Sequence, residues 1–285
     1  MITISSKDTN QPLFHSYLLG AVGPRPIAFA STIDKDGNSN LAPFSFFNVF
    51  SSNPPIAIFA PNRSGRDGTN KHTFFNVKEV PEVVLNIVNY NMVQQMSLAS
   101  SPYAKGVDEF EKAGFTKLKS DVIKPFRVAE APVTMECKVN DVIELGTSGG
   151  AGNLIICEVL LIHIKEEVLD KKGKIDQQKI DLVARMGGNW YCRAHGDALF
   201  EIEKPITTLG IGVDAIPAEI RNSKVLSGNN IGQLGNVEHL PTAEEISTYK
   251  QQNTHKYSST EEKHQYAKTL LDVNKVAEAW KVLLS

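Results

Sequence analysis

The chain has 285 residues, 41% of them hydrophobic, so it can bury one large core or two small ones. Its 30 basic and 32 acidic residues nearly cancel, which argues against the cationic footprint of a nucleic-acid-binding protein. No apolar run reaches membrane-span length, and the opening MITISSKDTNQ lacks an apolar h-region, so neither a membrane nor a secretory signal is expected.

Residues 1–200 read mainly as strands. PIAFASTI (26–33) is apolar and β-branched and runs into the turn DKDGNSN (34–40). LAPFSFFNVF (41–50) is the next strand-like run, with Pro43 marking an edge, a bulge or a strand start. PPIAIFAP (54–61), VVLNIV (83–88), PVTMECKVNDVIEL (132–145) and NLIICEVLLIHI (153–164) follow, with ALFEIE (198–203) a further candidate. Helical signals interrupt them at FFNVKEV, which Thr73 is placed to cap, at NMVQQMSLAS (91–100) and at GVDEFEKAG (106–114). ELGTSGGAGN (144–153) is glycine-rich but has neither a P-loop ending nor a βαβ context, and it reads as a wide hairpin turn.

After Pro205 the texture changes. The next 36 or so residues are rich in Gly and Asn with no sustained period. TAEEISTYKQQN and STEEKHQYAKTLLDVNKVAEAWKVLLS then read as helices with Thr242 and Thr260 as N-caps. In the last of them Leu270, Val273, Ala277, Trp280 and Leu284 form one apolar stripe for docking.

Cys137, Cys157 and Cys192 are odd in number and form no CxxC pair. A disulfide framework or zinc site is not expected, and a reducing cytoplasm suits them. No His, Asp and Glu cluster has ligand spacing, so no metal is expected. RSGRDGTNKHT (63–73) ends an apolar run with Arg63, Arg66 and Lys71 among hydroxyls and glycines. Such a loop suits an anion, most naturally a phosphate, and also suits a solvated turn. Arg25, fixed between two prolines, suits a phosphate or carboxylate partner and equally a solvated strand entrance.

Several blocks converge in order and spacing: GPRPIAFASTID (23–34), GNSNLAPFSFFNVFSSNPP (37–55), the cationic loop ending KHT, DEFEKAGF (108–115), APVTMECKV (131–139) and RMGGNWYCRA (185–194). Over roughly residues 10–203 the chain resembles the flavin reductase-like family of FMN-binding split-barrel flavoproteins. The resemblance implies a mainly β, Greek-key antiparallel split β-barrel with a few short helices over residues 1–204. A helical C-terminal extension over 205–285 would pack on the barrel or on a partner. It also implies a homodimer with FMN near the interface, and NAD(P)H as electron donor.

Under that resemblance Arg66, Lys71 and Thr73 would hold the FMN phosphate, with Ser51 and Ser52 near phosphate or ribityl oxygens and Arg25 a further candidate ligand. Ser31 and Thr32 would approach the flavin ring, and Ser45, Phe46 and Asn48 would form its second wall. His72 stands where the family carries an acid. Asn153 and Leu154 stand where reductases carry Asp-His, which weakens a standard nicotinamide-binding mode. His163 is expected as a satisfied core histidine and His195 as a structural one. The implied function is an FMN-dependent oxidoreductase passing electrons from NAD(P)H to an acceptor. A flavoprotein oxygenase and a non-catalytic FMN electron carrier are the alternatives. No catalytic residue is nominated, because the cofactor carries the chemistry.

Overall fold

A computed structural model describes every residue of the chain except Glu203 and Thr254. The chain divides into two compact units, Met1–Phe200 and Glu201–Ser285, and each is described by itself.

The first unit opens with helix α1 (Gln11–Ala21), whose leading amides are capped by Asn10. Strands β1 (Ala28–Ile33), β2 (Ser39–Phe44), β3 (Phe47–Ser52) and β4 (Pro55–Phe59) follow. Helix α2 (His72–Glu79), strand β5 (Glu82–Ile87) and helices α3 (Val93–Leu98) and α4 (Glu109–Ala113) come next. The short pair β6 (Lys117–Leu118) and β7 (Arg127–Val128) precedes two twelve-residue strands, β8 (Val133–Glu144) and β9 (Asn153–Ile164). The unit closes with α5 (Gln177–Ile180) and the hairpin β10 (Leu182–Arg185) and β11 (Tyr191–Ala194).

Seven strands form one antiparallel sheet in the order β2-β1-β5-β8-β9-β4-β3. This arrangement is consistent with a split-barrel fold, with β2 and β3 as the sheet's edges and no closing ladder among the described residues. The sheet is buried on both faces along β1. Phe29 packs with Leu41, Met92 and Phe110 on one side, while Ala28 and Ala30 pack with Phe59, Leu85 and Ile155 on the other. That double burial is why PIAFASTI reads as a continuous apolar run rather than an alternating one.

Three details differ from expectation. The run 41–50 is two strands, broken at Ser45 and Phe46, because the chain leaves one sheet edge (β2) and enters the other (β3). Helix α2 starts before Thr73. Lys71 is its N-cap, and the Thr73 hydroxyl instead accepts from Asn40 Nδ2 at 2.9 Å. Residues 198–202 form no strand, a 3₁₀ turn occupies Gly196–Ala198, and residue 203 of that expected strand lies outside the described residues.

The second unit contains α6 (Ala218–Arg221), α7 (Gly228–Gly235), α8 (Ala243–Gln252), α9 (Thr260–Asp272) and α10 (Val276–Leu284). Ile220, Leu234, Leu271 and Trp280 meet in its core, and Trp280 Nε1 donates to the Leu234 carbonyl at 3.1 Å. Thr242 caps α8 as expected, in a reciprocal box with Glu245. Ser259 rather than Thr260 caps α9. The last helix of the sequence reading is two helices. Asn274 takes φ 59° between them, and Val273, assigned to the buried stripe, is 64% exposed. No helix among the described residues is long and apolar enough to cross a membrane.

Candidate functional site

The cationic loop leads straight into α2, and local packing fixes both. Gly68 takes φ 71°, a conformation that side chains disfavour. Thr69 donates its amide and hydroxyl to Asp67, and its hydroxyl leads in holding that carboxyl down at about 2. The glycine-rich β8–β9 turn backs the loop. Arg63 N donates to Ala151 O, Gly150 N donates to Arg63 O, and a Cβ on Gly149 would sit 2.9 Å from Ser64 O. Gly149 is the glycine this close backbone contact requires.

The loop's cations divide. Arg63 donates to the Gly68 carbonyl at 3.2 Å and pairs with Glu144 at 2.9 Å, and Lys78 takes the other Glu144 oxygen at 2.8 Å. Arg66 and Lys71 are exposed and form no ion pair among the described residues. Lys71 caps α2 without a side-chain hydrogen bond; its carbonyl accepts from Phe74 N at 3.0 Å, which leaves the amides of His72 and Thr73 without a capping side chain. Asn40 Nδ2 ties β2 to Thr73, and Asn76 Nδ2 donates to Thr32 Oγ1 at 3.1 Å, clamping α2 to the sheet.

Beside this helix start lies a cleft of about 480 Å³. It brings together Ser45, Phe46, Lys71 and Thr73 of the residues expected to meet a cofactor. The others lie elsewhere. Ser31 and Thr32 are wholly enclosed, Ser31 Oγ has no partner among the described residues, and Thr32 serves the Asn76 clamp. Asn48 and Ser51 are on edge strand β3, outside the cleft lining. Arg66 also lies outside the lining, on the adjoining loop. Arg25 is 6% exposed, and its guanidinium donates to Leu19 O, Val22 O and Met186 O, which fastens the end of α1. It is a helix-end clamp and is not among the residues lining the cleft.

Asn40 and Glu109 line the cleft without having been singled out. Glu109 Oε2 accepts from Leu41 N at 3.0 Å, satisfying an amide on the outer edge of β2, and burial pushes its carboxyl up. Nothing in DEFEKAGF distinguishes that glutamate from an ordinary first-turn acid.

Asn153 is fully buried. It donates to Pro61 O and to Asn70 Oδ1, both at 2.9 Å, and so pins β9 to the loop. His163 has the expected partner, with Nε2 2.8 Å from Glu136 Oε1, but it is partly exposed rather than in the core, and His195 lies 3.8 Å from Asp181. Asp121, Glu136 and His163 bring three potential ligand atoms within 4.8 Å, a grouping the sequence does not show. Glu136 is already saturated by the amides of Asp121 and Val122 and faces Arg127 at 3.8 Å, which makes this a structural carboxylate.

The family model for the flavin reductase like domain matches residues 21–179. The chain belongs to the flavin reductase-like family. A protein of Aquifex aeolicus is 35% identical to it over 196 residues, 69% of this chain and 97% of the relative. Among solved structures, nitrilotriacetate monooxygenase component B of Bacillus cereus aligns with a TM-score of 0.66 and 30% identity, over 71% of this chain and 98% of that one. A 2-nitrobenzoate 2-nitroreductase of Pseudomonas fluorescens aligns with a TM-score of 0.62 and 26% identity, over 73% and 100%. The flavin reductase-like match contains both the cationic loop and the start of α2.

Proposed function

We propose that the chain is an FMN-dependent oxidoreductase that takes electrons from NAD(P)H and passes them to an acceptor. The observation that carries this reading is the cleft in which Lys71 and the uncapped start of α2 meet Ser45 and Phe46. A phosphate dianion wants open amides at a helix start, free cations and hydroxyls, and the His72 and Thr73 amides, Lys71 and the neighbouring hydroxyls answer to that. Lys71 and the α2 amides would hold it, with Arg66 closing from the adjoining loop. Ser45 and Phe46 would face the ring. FMN, when bound, supplies the hydride chemistry. The chain's own residues bind, orient and exclude water.

We also propose a homodimer. Helix α1 has no buried residue, and Tyr17 and Leu18 on it and Val22 just after it are exposed, as are Val49 and Phe50 on β3. A second copy is the natural cover for such apolar surface.

One observation favours a second reading, an FMN electron carrier. Asn153 is spent on structure, and no titratable side chain stands at that place. The absorption spectrum of the purified protein and anaerobic mixing with NADH or NADPH test both readings. A yellow protein that releases FMN on denaturation and bleaches with a nicotinamide supports the oxidoreductase. Bleaching only by a reduced carrier protein supports the second reading, and a colourless protein that takes up no FMN rejects both.

A further inference from the structure

His15, on helix α1, lines the cleft beside the start of α2 and is half-buried there. Its ring faces Phe46, with centroids 6.3 Å apart. Neither of its ring nitrogens has a hydrogen-bond or ion-pair partner among the described residues, whereas His163, His195 and His264 each have one. We propose that His15 is the proton-exchanging group of the flavin site, taking up a proton as the flavin is reduced and giving it back on reoxidation. This rests on the flavin reading above and adds a residue to it.

The surroundings single out this side chain. Lys71, His72, Tyr103 and Glu109 are the other titratable groups on the cleft wall. Lys71 and His72 stand at the start of α2, where the phosphate is expected, and burial with Lys105 and Lys71 holds His72 towards its neutral form. Glu109 is engaged by the Leu41 amide, and burial pushes its carboxyl up. Among the described residues, only His15 of these five has its ring beside Phe46, which the flavin reading sets against the isoalloxazine. Helix α1 carries no other charged side chain, and the guanidinium fastened to its end is Arg25.

A hydride from a nicotinamide brings one electron pair and one proton to the isoalloxazine and leaves it negatively charged. His15 binds a second proton, drawn from water, at a free ring nitrogen. The nicotinamide is oxidised, the flavin is reduced, and the site gains two electrons and two protons. An imidazole ordinarily titrates at about 6.5, and a neighbouring negative charge favours its protonated form, so the change falls near neutral pH. On reoxidation of the flavin, His15 returns its proton to water.

Proton uptake per electron pair, read from the pH dependence of the midpoint potential of the FMN-loaded full chain, tests this. At pH about 7.5 the native chain should take up about two protons and His15→Gln about one. His15→Lys, which carries its charge in both redox states, should also take up about one, with a midpoint potential above that of His15→Gln. If FMN binds but both variants take up as many protons as the native chain, His15 is rejected while the flavin reading stands. Loss of FMN binding in both variants alone makes His15 a binding side chain and rejects the proton role. If the native chain binds no flavin, both readings fall together.

Discussion

Glu136 shows how much depends on one enclosed side chain. Burial pushes its carboxyl up, but the amides of Asp121 and Val122 and the His163 ring outweigh that and hold it below its ordinary value. A carboxyl depressed in the fold stabilises above its unfolded-state pKa of about 4.3, and that contribution is lost as pH falls through the folded value. Glu136→Gln should therefore cost about 2 kcal/mol near neutral pH. The gap from the native protein should narrow as pH drops below about 4. Thermal melts across that range check this, and a gap that stays constant would contradict it.

The same scale shows what a residue pattern can and cannot reveal. Lys71 and Thr73 stood out by the chemistry of their loop, whereas Ser45 and Phe46 were singled out by the family resemblance alone; the four line one cleft. Arg25 was not legible as a clamp, since one of its acceptors, Met186 O, lies 161 residues away along the chain. Ser31 and Thr32 were placed near a ring by the family resemblance, and the sequence alone does not show that both faces of their strand are covered within the unit.

Among the elements, the long ones were plain in the sequence and the short ones were not. The two twelve-residue strands β8 and β9 follow from sustained apolar, β-branched runs. The four-residue α6 and eight-residue α7 escaped because their segment is dominated by Gly and Asn. Intrinsic propensity opposes helix there, and the capping box of Ser227 and Asn230 together with burial of Ile231 and Leu234 overrides it. The break between α9 and α10 was missed because a single left-handed Asn, unlike Gly or Pro, is a weak stop signal. Helix α8 fully buries no residue, and beyond the Tyr249 packing and a 4.0 Å Glu245–Lys281 pair its start depends on local bonds. Thr242→Ala should loosen it by about 1 kcal/mol. Hydrogen exchange should show faster amides over 243–246 with the rest of the second unit unchanged, and unaltered protection would refute the cap's importance.

For the whole molecule, the exposed apolar residues of α1 and β3 carry the expectation of a dimer. Sedimentation at micromolar concentration should give twice the monomer mass, and charge substitutions Leu18→Glu with Phe50→Glu should shift it to monomer. A native protein that sediments as a monomer would contradict that assembly.

The central claim is that the start of α2 and its loop grip a phosphate. The direct measurement compares dissociation constants for FMN and for riboflavin, which lacks the phosphate, in the native chain and in the Arg66→Ala, Lys71→Ala double variant. Each charge-assisted bond is worth about 1.5–3 kcal/mol, so the native chain should prefer FMN by about a hundredfold or more, with most of that preference lost in the variant. Equal affinity for the two flavins, or a preference that survives both substitutions, would contradict the account.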